Sequence, residues 1–503
     1  MDDQARLEYV VSHVRETALL ESTSALLEWD ERTGLPSKAG NYRAEQLTYL
    51  SGLIHRRRTD REFGEALDLL QQSDLAQAGE LPTGAIIRRL AKDFSRNTRL
   101  PIELVKAISR ATVLGQQAWE RARQQDNWLL FEPYMTEVIS LRRQEAELLA
   151  TDGQLYDALL DQYEPDCKSS QLVEIFSRLR EQLVDLVKEL GQSNNRPDGQ
   201  TLRQPISIDK QRTVSRWAAE SIGYDFQRGR LDETSHPFCT TLGPDDCRIL
   251  TRFQETFFPS GLFGTLHEAG HGIYEQGLPG EWFGLPPGSA ASLGIHESQS
   301  RLWENFVGRS QAFWRWAFPK ISARVGDAWQ GFAAEQIYRD ANLVQPSLIR
   351  VEADEVTYNL HILIRFEIEQ QLISGQLLVA DAPDAWNERY SHYLGIRPPS
   401  AKDGILQDVH WSAGLVGYFP TYSLGNLYAA QLMQAAAAQL GDLDNMFAEG
   451  EFEPLLAWLR KHVHAHGACI APSELVQRVS GQSLSEAPLM QYLRRKLSPI
   501  YGC

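Results

Sequence analysis

Two histidines stand four residues apart around a glutamate in FGTLHEAGHGIYEQGL (263–278): His267, Glu268 and His271. On an α-helix, residues four apart differ by about 40° and about one turn of rise, so both imidazoles project from one face and can grip one cation. Glu268 lies about 100° around the helix from His267, where it reaches a water held by the ion without being a ligand. A divalent ion lowers the pKa of its water to about 7, and the carboxylate then takes the proton as the water attacks a carbonyl. The implied chemistry is metal-assisted hydrolysis of a peptide bond. With only 12 histidines in 503 residues, chance yields this pattern roughly 0.02 times per such chain, so composition alone does not explain it.

A catalytic zinc takes three protein ligands and keeps one position open. A third histidine six residues beyond His271, with a glycine midway, would complete one known pattern. Those positions hold Gly277 and Tyr274, so the third ligand should be a carboxylate on a later helix. SLGIHESQSRLWENFVG (292–308) carries Glu297, Arg301 and Glu304 along its polar side. Glu297 is the first choice and Glu304 the second. Gly264, Gly270 and Gly272 each cost about 1 kcal/mol against Ala in a helix interior, which points to something approaching that helix closely.

The elements that must position these groups are mostly helical. Apolar residues three and four apart predict helices over 6–31, 174–191, 360–375 and 425–441. NNRPDGQ (194–200) and LPGEWFGLPPGSAAS (278–292) read as loops. HPFCTT (236–241) and CRILTRF (247–253) read as two short strands around LGPDD. That hairpin either offers an edge for a peptide substrate to join or only braces the metal helix. The fold class expected is mainly α.

Composition narrows the partners. The formal net charge of −16 argues against nucleic acid and against anionic membrane. No run of eighteen apolar residues is present, and the acidic, amphipathic N-terminus lacks an export signal, so a cytoplasmic protein is expected. Five cysteines without CxxC spacing fit a reducing compartment and no disulfide framework.

With these motifs laid out in order, the chain resembles the thermostable, Taq-type HEXXH metallocarboxypeptidase family. The resemblance runs from LEWDERTGLP (27–36) through SHPF (235–238), DCRILTRF (246–253), HEAGH (267–271), HESQ (296–299), IRVEAD (349–354) and GILQDVHW (404–411) to GYFPTYSLG (417–425). It implies a single helical domain over 1–503 with a deep groove and a small sheet beside the HEXXH helix. Helices over about 1–190 would form a lid and about 230–430 the catalytic part. It implies release of C-terminal amino acids with broad specificity, usually by a homodimer. The metal implied is zinc, one per chain, with cobalt or manganese possible. Motif by motif it implies His267, His271 and Glu297 as ligands, Glu268 as general base, and Arg350 and His410 as substrate-binding residues. Tyr422 or Tyr418 would donate to the oxyanion. One departure is Leu250, where the family has Thr.

Other features invite blander readings. KHVHAHG (461–467) puts only His462 and His466 on one helical face, with no carboxylate to complete a set around His464. HRRR (55–58) reads as a solvated face, Trp29 as core packing and Asp30 as a cap.

Overall fold

The structure is a computed structural model that describes residues 2–77 and 82–503. Its first helices are α1 (Asp3–Thr33), α2 (Gly40–Arg58), α3 (Arg61–Gln71), α4 (Pro82–Arg99), α5 (Ile102–Gln124) and α6 (Glu132–Leu149). Then come α7 (Leu155–Leu160), α8 (Ser169–Gly191), α9 (Ile208–Ser221), three strands, β1 (Gly229–Glu233), β2 (Phe238–Gly243) and β3 (Asp246–Thr251), and α10 (Phe258–Gly277). After these follow α11 (Leu293–Arg301), α12 (Gln311–Val325), α13 (Ala334–Ala341), α14 (Thr357–Ser374) and α15 (Ala382–Leu394). The last are α16 (Pro420–Leu440), α17 (Leu443–Glu449), α18 (Glu453–His462), α19 (Pro472–Ser480) and α20 (Ala487–Tyr501). The four helices expected from periodicity are α1, α8, α14 and α16. Among the described residues no helix is long and apolar enough to cross a membrane.

The chain packs as two compact units, each built from three stretches: 1–98, 199–341 and 431–483 in the first, and 99–198, 342–430 and 484–503 in the second. In the first unit α10 is the buried centre. Phe258, Leu262, Phe263, Leu266, Ala269, Ile273 and Tyr274 are all enclosed, and the helix packs against α9, α11, β2 and β3. The expected β2–β3 hairpin is present and antiparallel, with Phe238 opposite Leu250. Sequence reading missed β1, which pairs parallel with β3 to complete a sheet of order β1-β3-β2. Its sequence, GRLDE, has one strongly apolar residue and carries no strand signature of its own. Leu250 is fully buried, so an apolar residue at that place belongs to the core.

Gly264, Gly270 and Gly272, three of the five glycines of α10, have a physical reason. A methyl group on Gly270 would lie 2.6 Å from the Gln299 carbonyl oxygen and 2.7 Å from Ser300 Cα, both backbone atoms of α11. One on Gly272 would meet the Tyr224 ring at 2.6 Å, and one on Gly264 the Thr251 hydroxyl at 3.1 Å. What approaches the helix is the rest of its own unit, α11 on one side and the sheet on the other. Ser292 caps α11 by accepting from the Ile295 amide at 3.0 Å. The helix expected over 292–308 ends at Arg301 and continues as a wider π-type turn over Leu302–Val307.

Two bland readings change, while HRRR stays on the surface with Arg56 and Arg58 exposed. Trp29 is half-buried, with the Arg230 and Arg248 guanidiniums 5.0 and 4.3 Å from its ring. The Asp30 carboxylate, expected as a cap, accepts from Arg43 at 2.7 Å. Within HRRR, Arg57 and Arg58 tie α2 to α1 through Glu16 and Glu21, at 2.9 and 2.8 Å.

In the second unit almost all of α14 is enclosed. His361, Arg365 and Glu369 recur every four residues and form a buried polar stripe on this largely enclosed helix. Glu369 accepts from the Tyr156 hydroxyl at 2.7 Å, the Trp411 indole at 2.8 Å and the Gly417 amide at 3.0 Å. One carboxylate thereby ties the segment carrying His410 to the centre of its unit.

The Gly270 contact makes a test. Gly270→Ala should destabilise the protein by about 1–3 kcal/mol through overpacking and weaken metal binding, because α11 carries Glu297. Gly243→Ala, where an added methyl meets nothing within 4 Å, should do neither. Urea unfolding and metal titration measure both effects, and equal behaviour of the two variants would contradict this packing.

Candidate active site

His267 and His271 face the same side of α10, and α11 brings Glu297 to them. Glu297 Oε2 lies 3.4 Å from His271 Nε2 and 3.7 Å from His267 Nε2. The three ligand atoms all fall within 4.8 Å of one another, and no other such group occurs among the described residues. Two imidazole nitrogens and a carboxylate oxygen are the donor set of a catalytic divalent-ion site, so the residues fit the ion that the sequence implies.

Each of the three is held by a further partner. Arg301 donates to Glu297 Oε1 at 2.7 Å, which leaves Oε2 directed at the histidines. His267 Nδ1 meets Glu304 Oε2 at 2.9 Å, and Arg309 and Arg301 hold that carboxylate at 3.1 and 3.2 Å. Glu304, the second choice for a ligand, thus stands on the far nitrogen of His267. His271 Nδ1 meets His296 Nδ1 at 2.5 Å. Burial alone would raise the Glu297 carboxyl, but Arg301 and the two histidines outweigh it and hold it well below the usual range. Burial pushes the His271 imidazole down to about 3, with His296 adding to it, which keeps a lone pair available. Glu268 is buried, and burial pushes its carboxyl up to about 7, with Glu297 adding and His267 opposing.

Arg350, His410 and Tyr422 belong to the second unit. Arg350 is buried in a short turn before α14. Its nearest sequence acids do not pair with it: Asp354 caps the start of α14 by accepting from the Val356 and Thr357 amides at 2.9 and 3.0 Å. Its partner is Asp408, 2.9 Å away, and that carboxylate also accepts from Arg365 Nε at 2.6 Å. Arg350 further donates to the Tyr358 hydroxyl at 3.0 Å. His410 Nε2 lies 3.2 Å from the Tyr422 hydroxyl, while its contact with Tyr418 is a ring edge with centroids 5.4 Å apart. Burial pushes the His410 imidazole down to about 3, against the pull of Asp408. Sequence reading missed Asp408, Arg365, Glu369, His296 and Glu275 as site partners. Asp408 and His296 sit inside quoted motifs, GILQDVHW and HESQ, and were legible there as a charge and a scarce residue type.

The family model for carboxypeptidase Taq (M32) metallopeptidases matches residues 9–497. The chain belongs to this family. It is 45% identical to thermostable carboxypeptidase 1 of Thermus thermophilus, with 100% of both chains covered. It is 38% identical to carboxypeptidase 1 of Bacillus subtilis, over 95% of each. Among solved structures, the M32 carboxypeptidase of Deinococcus radiodurans matches with a TM-score of 0.95 at 38% identity, covering 99% of this chain and 100% of that one. The protein is a metallocarboxypeptidase, mainly α, whose family implies a metal ion.

The Asp408 pair gives a pH-dependent prediction for this metallocarboxypeptidase. Burial would raise the Asp408 carboxyl, but Arg350 and Arg365 outweigh it and hold it well below its ordinary value. A carboxyl depressed on folding contributes stability above its unfolded pKa of about 3.9, and that stability is lost as pH falls below this value. Asp408→Asn, which leaves two buried cations uncompensated, should cost about 3–5 kcal/mol at pH 7. The difference from wild type should shrink below about pH 4. Urea unfolding at both pH values checks this, and a cost independent of pH would contradict it.

Proposed function

We propose that this metallocarboxypeptidase releases C-terminal amino acids one at a time from peptides of varied sequence, with zinc as its ion and cobalt or manganese able to replace it. The observation that carries this reading is the His267–His271–Glu297 group with the buried Glu268 carboxyl beside it on α10. When bound, the ion supplies Lewis acidity, making water acidic near neutral pH and polarising a carbonyl. His267, His271 and Glu297 hold it. The Glu268 carboxylate takes a proton and hands it to the leaving amine nitrogen, a role suited to a carboxyl raised toward neutrality. Glu304 fixes His267 in the tautomer with its proton on Nδ1, which leaves Nε2 unprotonated.

Arg350 and His410 recognise the free C-terminal carboxylate in this reading. The buried set Arg350, Arg365 and Asp408 carries two positive charges against one negative, a surplus that suits an anionic chain end. His410 orients the Tyr422 hydroxyl, which supports Tyr422 over Tyr418 as the oxyanion donor. We further propose that residues 1–503 work as one functional domain, in keeping with a family match that runs through both units. The protein acts as a cytoplasmic homodimer without nucleic-acid or membrane partners.

Mass spectrometry of one peptide with a free and with an amidated C-terminus tests the activity. The free form should give a ladder of single-residue losses and the amidated form should resist. Internal fragments from both would contradict the reading. Glu268→Gln should keep its ion and lose turnover. Arg350→Ala should lower kcat/KM by roughly 100-fold on free peptides, as for a lost charged partner, and far less on amidated ones. Equal losses on both would remove Arg350 as the anchor.

A further inference from the structure

His296 stands beside the proposed metal group without belonging to it. Its Nδ1 is 2.5 Å from His271 Nδ1, and the two ring planes are inclined by 30° with centroids 4.4 Å apart. Its other nitrogen, Nε2, is 2.9 Å from Glu275 Oε1. The second oxygen of Glu275 accepts from the Thr241 hydroxyl at 2.9 Å. Thr241 lies on β2, so four side chains from three elements, β2, α10 and α11, form one line of hydrogen bonds ending at His271.

The proton positions along this line follow from chemistry. A neutral imidazole carries one N–H and one lone pair. Glu275 only accepts when ionised, so His296 Nε2 bears the hydrogen and donates to it. His296 Nδ1 is then an acceptor, and the hydrogen it receives belongs to His271 Nδ1. His271 Nε2 is left as a bare lone pair, on the side facing Glu297 Oε2 at 3.4 Å. With both rings neutral, reversing any one bond places two hydrogens, or two lone pairs, against each other.

We infer that His296 is a positioning residue that fixes the tautomer and ring angle of His271, and that Glu275 and Thr241 fix His296 in turn. This rests on the reading of His267, His271 and Glu297 as the metal ligands. The hairpin thereby acquires a definite role, since β2 braces a ligand through hydrogen bonds as well as packing against α10. The two histidines also become unlike. His267 leans on a carboxylate, Glu304, whereas His271 leans on another imidazole.

Zinc affinity tests this independently of turnover. The full chain is stripped of metal and titrated with zinc against a chromophoric chelator. His267→Ala should bind far more weakly than wild type, which secures the ligand reading. His296→Leu keeps volume but offers no acceptor, and it should weaken zinc binding by about 10–100-fold, as when the partner of a ligating histidine is removed. His296→Asn returns an acceptor near the Nδ1 position and should recover most of that loss. A merely structural role would show no such rescue. Thr241→Val leaves both histidines intact and should weaken binding by about fivefold, the effect of one hydrogen bond. Glu275→Ala should weaken wild type yet add little to His296→Leu, because both act along one line. Circular dichroism of the metal-free proteins should be unchanged. If His267→Ala loses zinc while His296→Leu and Thr241→Val bind within about twofold of wild type, less than one hydrogen bond is worth, His296 does not position His271. If His267→Ala binds as tightly as wild type, the ligand reading fails and this inference falls with it.

Discussion

The backbone of α11 lies against α10 at Gly270, closer than any side chain would allow. An added Cβ would come within 2.6 Å of the Gln299 carbonyl oxygen. Everything at the candidate metal group depends on that approach. His267 and His271 come from α10, Glu297 comes from α11, and their ligand atoms fall within 4.8 Å only because the two helices touch. On other sides of α10, Gly272 admits Tyr224 and Gly264 admits Thr251. Glycine weakens a helix by about 1 kcal/mol at each place. Here the loss is offset by burying almost the whole helix, and the result is a closely packed support for the two candidate ligands.

Charge follows the same plan. Glu268, Glu297 and Glu304 are all buried around the histidines, with Arg301 and Arg309 against them. Three carboxylates against two guanidiniums leave room for a cation. The arginines do more than neutralise: Arg301 binds Glu297 Oε1 and leaves Oε2 for the histidines, and Arg309 binds Glu304 Oε1 while Oε2 is shared by Arg301 and His267. In the second unit the balance is reversed, with Asp408 shared by Arg350 and Arg365. Removing one partner from such a buried set is expensive, whereas the complete set is tolerable because its charges are hydrogen-bonded.

The helices were legible because an apolar stripe repeats at 3.6 residues. The HEXXH pair was legible because spacing along a helix fixes direction. Glu297 was preferred to Glu304 through the match to HESQ, and spacing alone left both open. What escaped was contact between distant segments. Arg350 offers two nearby acids, yet packing delivers Asp408, 58 positions along. β1 has no alternation to announce it and exists because β3 offers an edge. Trp29, read as core, is only half-buried and lies under two sheet arginines. The glycines of α10 were rightly read as a sign of close approach, but the sequence held nothing to say that the neighbour was α11.

Anomalous diffraction at the zinc edge, from crystals of the full chain grown with zinc, tests the central claim most directly. The account predicts one strong peak per chain, bounded by His267 Nε2, His271 Nε2 and a Glu297 oxygen. Glu268 should stand clear of the ion, and Glu304 should remain on His267 Nδ1. A peak coordinated by Glu304 or Glu268 in place of Glu297, or no peak between α10 and α11, would contradict it.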